Sequence, residues 1–313
     1  MRYVILAKGG HTDFIRQLVQ IGNERILDRT IRLLKENGVK DIVVTGEYKD
    51  LGDVIVYNPI NNTYNYDNDE GYWLDAFSYE FLVEPVCFIW GDVYFSEEAI
   101  KIIVETKTNS HLFFCTYKNE SKEYIKNHDE PLAYKVVDTE IFKKHIELVK
   151  KMYDKGLTVR HPIVWELYRS LNGINVNWHT MTKNYVAIND ISCDIDNMKD
   201  VYKLKNKLGE CEMIRLEIIE EVEAGRFNEI KDLIRKNPLN AKEGTLYKGD
   251  IFLANKDLAD YFLGDNRMNK EFAKVIEVIP EKTSTKKEIP EENKENEEVF
   301  DEKAQKKNKK IKK

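Results

Sequence analysis

The chain begins with an apolar run, Tyr3-Val4-Ile5-Leu6-Ala7, that empties into Lys8-Gly9-Gly10. A strand ending in glycines constrains the chemistry of its own end, because the backbone there is open enough for its N–H groups to approach a phosphate. An ordinary turn between a strand and a helix is built the same way, so the loop gains meaning only from its company in the chain. Gly91-Asp92-Val93 directly follows the apolar run Val86-Cys87-Phe88-Ile89-Trp90, and Asp194-Ile195-Asp196 comes a few residues after Tyr185-Val186-Ala187-Ile188. Each sets a carboxylate at or near the C-terminal end of an expected buried strand, the edge at which ligands gather in open α/β sheets. A glycine loop suited to phosphates and two separated aspartates suited to a divalent cation form one coherent constellation.

From residue 3 to about 205 short apolar runs alternate with amphipathic helices, the pattern of an α/β sheet domain. Ile26, Leu27, Ile31, Leu33 and Leu34 recur at helical spacing, and Asn37-Gly38 closes that helix before the strand Asp41 to Thr45. This is a βαβ unit, so its two strands are expected to run parallel with a right-handed crossover. A strand Asp53 to Tyr57 leads through Asn58-Pro59 into an Asn- and Asp-rich loop, and a helix is expected from Tyr72 to Leu82. Ser96 caps a helix through Val104, His111 to Thr116 and Leu132 to Val137 read as strands, and Thr139 to Tyr153 as a long helix. A further helix is expected from His161, with Pro162 in its first turn, and a last one from Met198 to Leu208.

Four segments are expected: a main domain over 1–208, a charged helix and linker over 209–245, a small β-α-β module over 246–280, and a tail over 281–313. The helix is read over Glu212 to Lys236. The module combines strand Asp250 to Leu253, helix Lys256 to Leu263 and strand Phe272 to Ile279. The tail is almost entirely Lys, Glu, Asn and Asp, so burial cannot offset its ordering entropy and disorder is expected.

A formal net charge of -6 argues against a nucleic-acid-binding face. No apolar run approaches a membrane span and the N-terminus lacks a signal-peptide pattern, so a cytoplasmic protein is expected. Cys87, Cys115, Cys193 and Cys211 show no metal-like spacing, and neither a disulfide nor a zinc site is expected.

In the order and spacing of these motifs, residues 3 to about 205 resemble the NTP-transferase (nucleotidyltransferase) proteins with the GT-A-like, Rossmann-related fold, among them the MobA-like, sugar-1-phosphate and phosphocholine nucleotidyltransferases. Leu27-Asp28-Arg29-Thr30-Ile31 is similar to the family's Glu-Arg-Thr-Ile helix, and Asn58-Pro59 with Asp67-Asn68 to a stretch of the phosphocholine-type members. Gly91-Asp92 looks like the Gly-Asp metal motif, and Asp194-Ile195-Asp196-Asn197-Met198-Lys199-Asp200 like the second metal motif. The loop departs from the family pattern: Asp13 stands about where an arginine belongs, and Arg16 replaces a lysine. The stretch Asp250 to Ile279 looks like short modules of phage-associated proteins, which hints at a protein partner or self-association through the C-terminal region.

The resemblance implies a mixed, mostly parallel sheet flanked by helices and transfer of a nucleoside monophosphate to a small phosphorylated acceptor with release of pyrophosphate. It implies Mg²⁺ (or Mn²⁺) held by Asp92 and Asp196, with Asp194 as substitute for the latter. Lys8 and Arg16 would neutralise the leaving pyrophosphate, and Leu6, Ala7, Gly9, Gly10, Asn58 and Asn68 would contact the nucleotide. His161, Trp165, Glu166 and Trp178 are weighed as acceptor-pocket residues against ordinary packing. Asp92, Asp194 and Asp196 are weighed against simple helix capping. Two alternatives stay open: a glycosyltransferase using a ready-made sugar nucleotide, and a non-catalytic binding or assembly protein on a degenerate transferase domain.

Overall fold

The structure, a computed structural model, describes residues 1–8, 15–60, 64, 70–117 and 129–219, and beyond these 222–223, 245–246, 248–249, 251–254, 259–260, 262–264 and 271–280. Gly9, Gly10, Asp13, Asp67, Asn68, most of the expected 212–236 helix, half of the expected 256–263 helix and the 281–313 tail lie outside the described residues.

The chain opens with β1 (Arg2–Leu6), a 3-10 turn (Arg16–Leu18), the short hairpin β2 (Gln20–Ile21) and β3 (Glu24–Arg25), and helix α1 (Ile26–Glu36). Next come β4 (Ile42–Thr45), β5 (Ile55–Tyr57), β6 (Val86–Trp90), β7 (Val93–Tyr94), α2 (Glu97–Glu105), β8 (Leu112–Cys115) and β9 (Pro131–Val136). Helices α3 (Thr139–Asp154) and α4 (Val164–Leu171), strands β10 (Tyr185–Ala187) and β11 (Cys193–Asp194), and helix α5 (Met198–Lys207) come after them. The described C-terminal strands are β12 (Cys211–Ile218), β13 (Val222–Glu223), β14 (Thr245–Leu246), β15 (Ile251–Ala254) and β16 (Ala273–Pro280).

The central sheet has seven strands in the order β10-β8-β9-β6-β1-β4-β5. All neighbours pair in parallel except β9, which runs antiparallel to both β6 and β8. Val4, Phe88, Val44 and Phe113 are fully buried or nearly so, as expected of strands covered on both faces by helices. The first βαβ unit is present: Tyr3, Val4 and Ile5 lie beside Ile42, Val43 and Val44.

Where β6 ends it comes very close to the end of β1. Gly91 N–H donates to the Leu6 carbonyl at 3.0 Å, and a Cβ on Gly91 would lie 2.8 Å from both that oxygen and the Ala7 Cβ. Glycine is required there by the approach of two backbones, and the same contact holds Asp92 against the glycine-loop strand.

Three local expectations are corrected. Residues 72–82 form two 3-10 turns, Trp73–Ala76 and Tyr79–Phe81, rather than one helix. Ser78 is extended between them, which lets Leu74, Phe77, Phe81 and Leu82 all reach the core. Helix α4 starts at Val164, after Pro162, because Glu166 accepts the Ile163 N–H at 2.9 Å and fixes the first turn there. The expected charged helix from Glu212 begins instead as strand β12. Ile214, Leu216 and Ile218 are fully buried with Arg215 and Glu217 between them, a period of two that belongs to a strand. In its three-stranded sheet β12 lies between β15 and β16 and runs antiparallel to both. Its buried face shares a second core with Ile21, Ile26, Tyr94, Ile195 and the α5 residues Val201, Tyr202 and Leu204.

Candidate functional site

Backbone pairing brings the two acidic segments together. β11 pairs antiparallel with β7, setting Asp194 opposite Val93, and Ile195 N–H donates to the Asp92 carbonyl at 2.9 Å. Neither segment spends its carboxylates on capping the adjacent helix. Ser96 caps α2 by accepting the Ala99 N–H at 2.9 Å, and Asn197 caps α5 by accepting from Lys199 and Asp200. Asp200 completes that cap, taking the Asp196 N–H at 3.0 Å.

A third acidic contributor comes from the reversed strand. Ile89 lies opposite Ala133 in the antiparallel β6–β9 pair, and continuing that register beyond β6 carries Asp92 towards Glu130. Two bonds pin Glu130 at this edge: Thr116 N–H donates to its carbonyl at 2.9 Å, and its own N–H donates to Thr116 Oγ1 at 2.8 Å. Glu130, Asp194 and Asp196 present carboxylate oxygens within 4.8 Å of one another. Asp92 lies beside this trio. Burial first, then the charges of Asp194 and Asp196, push its carboxyl up to about 6, and Arg16 partly offsets them.

Arg16 bridges the acidic cluster. Its Nη1 lies 3.0 Å from Asp196 Oδ1 and 3.5 Å from Asp92 Oδ2. The donor set is all oxygen and strongly anionic, the chemistry that suits Mg²⁺ or Mn²⁺ rather than a softer metal. The residues present therefore fit the ion that the resemblance implies.

These groups line a cleft of about 760 Å³, together with Leu6, Lys8, Gln17, Trp73, Trp90, Asp129, Arg160, Trp165, Arg169 and His179. Lys8 is held by three bonds of its neighbourhood. The Ala7 and Lys8 N–H groups donate to the buried Thr45 Oγ1 at 2.9 and 3.1 Å, and Lys8 Nζ donates to the Pro59 carbonyl at 2.8 Å. Tyr48 O–H donates to the Ala7 carbonyl at 2.5 Å. Ala7 is buried beneath the strand end. Asn58 is exposed, donates to Glu47 Oε1 at 2.6 Å, and is not among the residues lining the cleft.

No family model matches the sequence, and no curated protein matches it. Among solved structures the chain is similar to the CTP:phosphocholine cytidylyltransferase from Streptococcus pneumoniae, at 17% identity over 66% of this chain and 98% of that one, with a TM-score of 0.39. It is also similar to the inositol-1-phosphate CTP transferase from T. maritima, at 15% identity over 67% and 96% of the two chains and a TM-score of 0.42. The 2-C-methyl-D-erythritol 4-phosphate cytidylyltransferase from Francisella tularensis is a third such structure, at 14% identity over 66% and 99% with a TM-score of 0.41.

On the far wall of the cleft, Trp165 is a lining residue and Glu166 lies buried behind it. His161 stacks on Tyr153 at 4.8 Å instead of lining the cleft, and Trp178 is 61% exposed outside it. Glu130, Trp73, Trp90, Arg160 and Arg169 escaped the sequence reading. For Trp90 a signal existed in its place just before Gly91-Asp92. For Glu130 there was only an acidic residue at the start of an apolar strand whose direction the sequence does not display.

Proposed function

We propose that the chain is a cytoplasmic, Mg²⁺- or Mn²⁺-dependent nucleotidyltransferase. It transfers a nucleoside monophosphate from a nucleoside triphosphate to the phosphate of a small acceptor: the new bond forms at the α-phosphorus and pyrophosphate leaves. The observation that carries this reading is the meeting of Asp92, Glu130, Asp194, Asp196 and Arg16 in one cleft at the end of β1 and β6.

Reactions of this type ask a protein mainly to position phosphates and neutralise their charge. Glu130, Asp194 and Asp196, with Asp92 beside them, would hold the metal ion, which when bound supplies positive charge between the reacting phosphates. Arg16 keeps a permanent cation at the same edge, and its planar fork suits phosphate oxygens. Lys8 adds a second cation on the β1 side. Main-chain groups of Leu6, Ala7, Gly9 and Gly10 are assigned to the nucleotide, with Asn68 as a further contact. Asn58 is a weaker candidate because its side chain is turned to Glu47.

The test is pyrophosphate release from each of the four NTPs with Mg²⁺ against a panel of phosphorylated small molecules. One NTP is expected to give metal-dependent release that Asp196→Asn abolishes. Turnover of a ready-made sugar nucleotide without any NTP reaction would replace this reading with a glycosyltransferase. Absence of metal-dependent NTP binding would favour the non-catalytic one.

A further inference from the structure

The cleft is charged at two places of opposite sign. Away from the carboxylates it is lined by Arg160, Arg169 and His179, which come from α4 and the segments flanking it. Both guanidinium groups share one carboxylate oxygen: Arg160 Nε lies 2.9 Å and Arg169 Nη1 3.0 Å from Glu166 Oε1. The other oxygen, Oε2, accepts the Ile163 N–H. Arg169 is 4% exposed. Its Nη1 also donates to the Val176 carbonyl at 2.9 Å, its Nη2 lies 3.5 Å from His179 Nδ1, and its Nε has no hydrogen-bond partner among the described residues.

We propose that this wall binds a second anionic group, a carboxylate or a phosphate, carried by the acceptor in addition to its reacting phosphate. The acceptor is then a phosphorylated anion rather than a phosphorylated cation or neutral alcohol. The proposal rests on the nucleotidyltransferase reading for the role of the reacting phosphate.

The donor count supports it. Two guanidinium groups meet the single Glu166 carboxylate here, and the buried Arg169 keeps an Nε with no hydrogen-bond partner among the described residues, so an anion at this wall would meet donors that Glu166 does not saturate. Burial first, and the repulsion of Arg160 among the charges, lower the Arg169 pKa from its ordinary value while Glu166 raises it, and an added anion would act in the same sense as Glu166. The first residues of α4, Val164 and Trp165, line the same wall. The tryptophans Trp73, Trp90 and Trp165 in the cleft could by themselves attract a cation through their ring faces. Arg160 and Arg169 oppose that on the wall formed by α4 and its flanking segments, which disfavours the cationic end of phosphocholine there.

Calorimetric titration of the full chain with Mg²⁺ present separates these options. The probes are 3-phosphoglycerate, fructose 1,6-bisphosphate, glycerol 3-phosphate and phosphocholine. The expected result is that 3-phosphoglycerate or the bisphosphate binds about tenfold tighter than glycerol 3-phosphate, the worth of one charge-assisted hydrogen bond. Phosphocholine should bind most weakly. Which of the two probes with a second anionic group wins tells a carboxylate from a second phosphate. Arg160→Gln, at a half-exposed position where folding is checked by circular dichroism, should erase the preference, and Arg160→Lys should keep part of it. Equal affinities, tighter binding of phosphocholine, no saturable binding of any probe, or a preference that survives Arg160→Gln would each overturn the proposal. Pyrophosphate release judges the transferase reading separately: release with unselective binding sinks only the anionic subsite, and selective binding without release from any NTP sinks only the transferase.

Discussion

The Ile195 N–H donates to the Asp92 carbonyl at 2.9 Å, a main-chain bond between segments about a hundred residues apart in sequence. It continues the β7–β11 pairing, in which Asp194 faces Val93. The second acidic segment is therefore positioned by backbone pairing, to which the Arg16 bridge between Asp92 and Asp196 adds a side-chain tie. Burial first, then the charge of Asp194, raises the Asp92 pKa, and Arg16 offsets part of this, so the pairing and the arginine together hold the carboxylates at one edge.

The burial of Asp92 has a pH signature. Asp92 is pushed from 3.8 up to about 6 in the fold. A carboxyl raised in this way lends stability that is complete below about pH 4 and lost by about pH 6, because the ionised form is penalised only in the folded state. Asp92→Asn does not ionise. In the absence of metal its stability advantage over the parent should be near zero at pH 4 and reach on the order of 2 kcal/mol at pH 7. Thermal melts of the two proteins across this range check it; a difference independent of pH would contradict it.

Gly91→Ala should destabilise the fold by about 1–3 kcal/mol, the cost of overpacking a tight contact. The new methyl group would meet the Leu6 carbonyl and Ala7 at 2.8 Å, and both are part of a buried strand end that cannot step aside cheaply. Urea denaturation gives the number. An unchanged midpoint would show that β1 and β6 are not so closely apposed.

Thr45→Val keeps the shape of the side chain and removes its oxygen. The Ala7 and Lys8 N–H groups then lose their acceptor, and a buried donor left unsatisfied costs about 1–3 kcal/mol. Stability should fall, and the KM for the NTP should rise more than kcat changes, since Ala7 and Lys8 lose their anchor. Equal KM values in variant and parent would mean that this anchor does not serve nucleotide binding.

Much of the fold was legible because the signals are local. The βαβ unit over residues 3–45, the strand before Asp92 and helices α2, α3 and α5 follow from hydrophobic periodicity and caps within single segments. The two aspartate segments were legible for the same reason, each standing close after an apolar run. The parts that could not be read depend on pairing at a distance. The direction of β9 decides that Glu130 joins the cleft, and nothing in Pro131 to Val136 states that direction. Residues 72–82 carry apolar spacing that satisfies a helix, yet extended Ser78 and the packing of Phe77 and Phe81 break it into turns. In β12 the alternation of Ile214, Leu216 and Ile218 was present, but the charged residues after it masked it as helix.

Titration of the full chain with Mn²⁺, alone and with each NTP, measured by calorimetry, tests most directly whether Glu130, Asp194 and Asp196 form one cation site. A single site is expected, tightened by one NTP, weakening as pH falls through about 6 because protonation of the neighbouring Asp92 removes negative charge beside it, and lost in the folded double variant Asp194→Asn, Asp196→Asn. Mn²⁺ binding of equal strength in that variant, or no binding to the parent chain with any NTP, would contradict it.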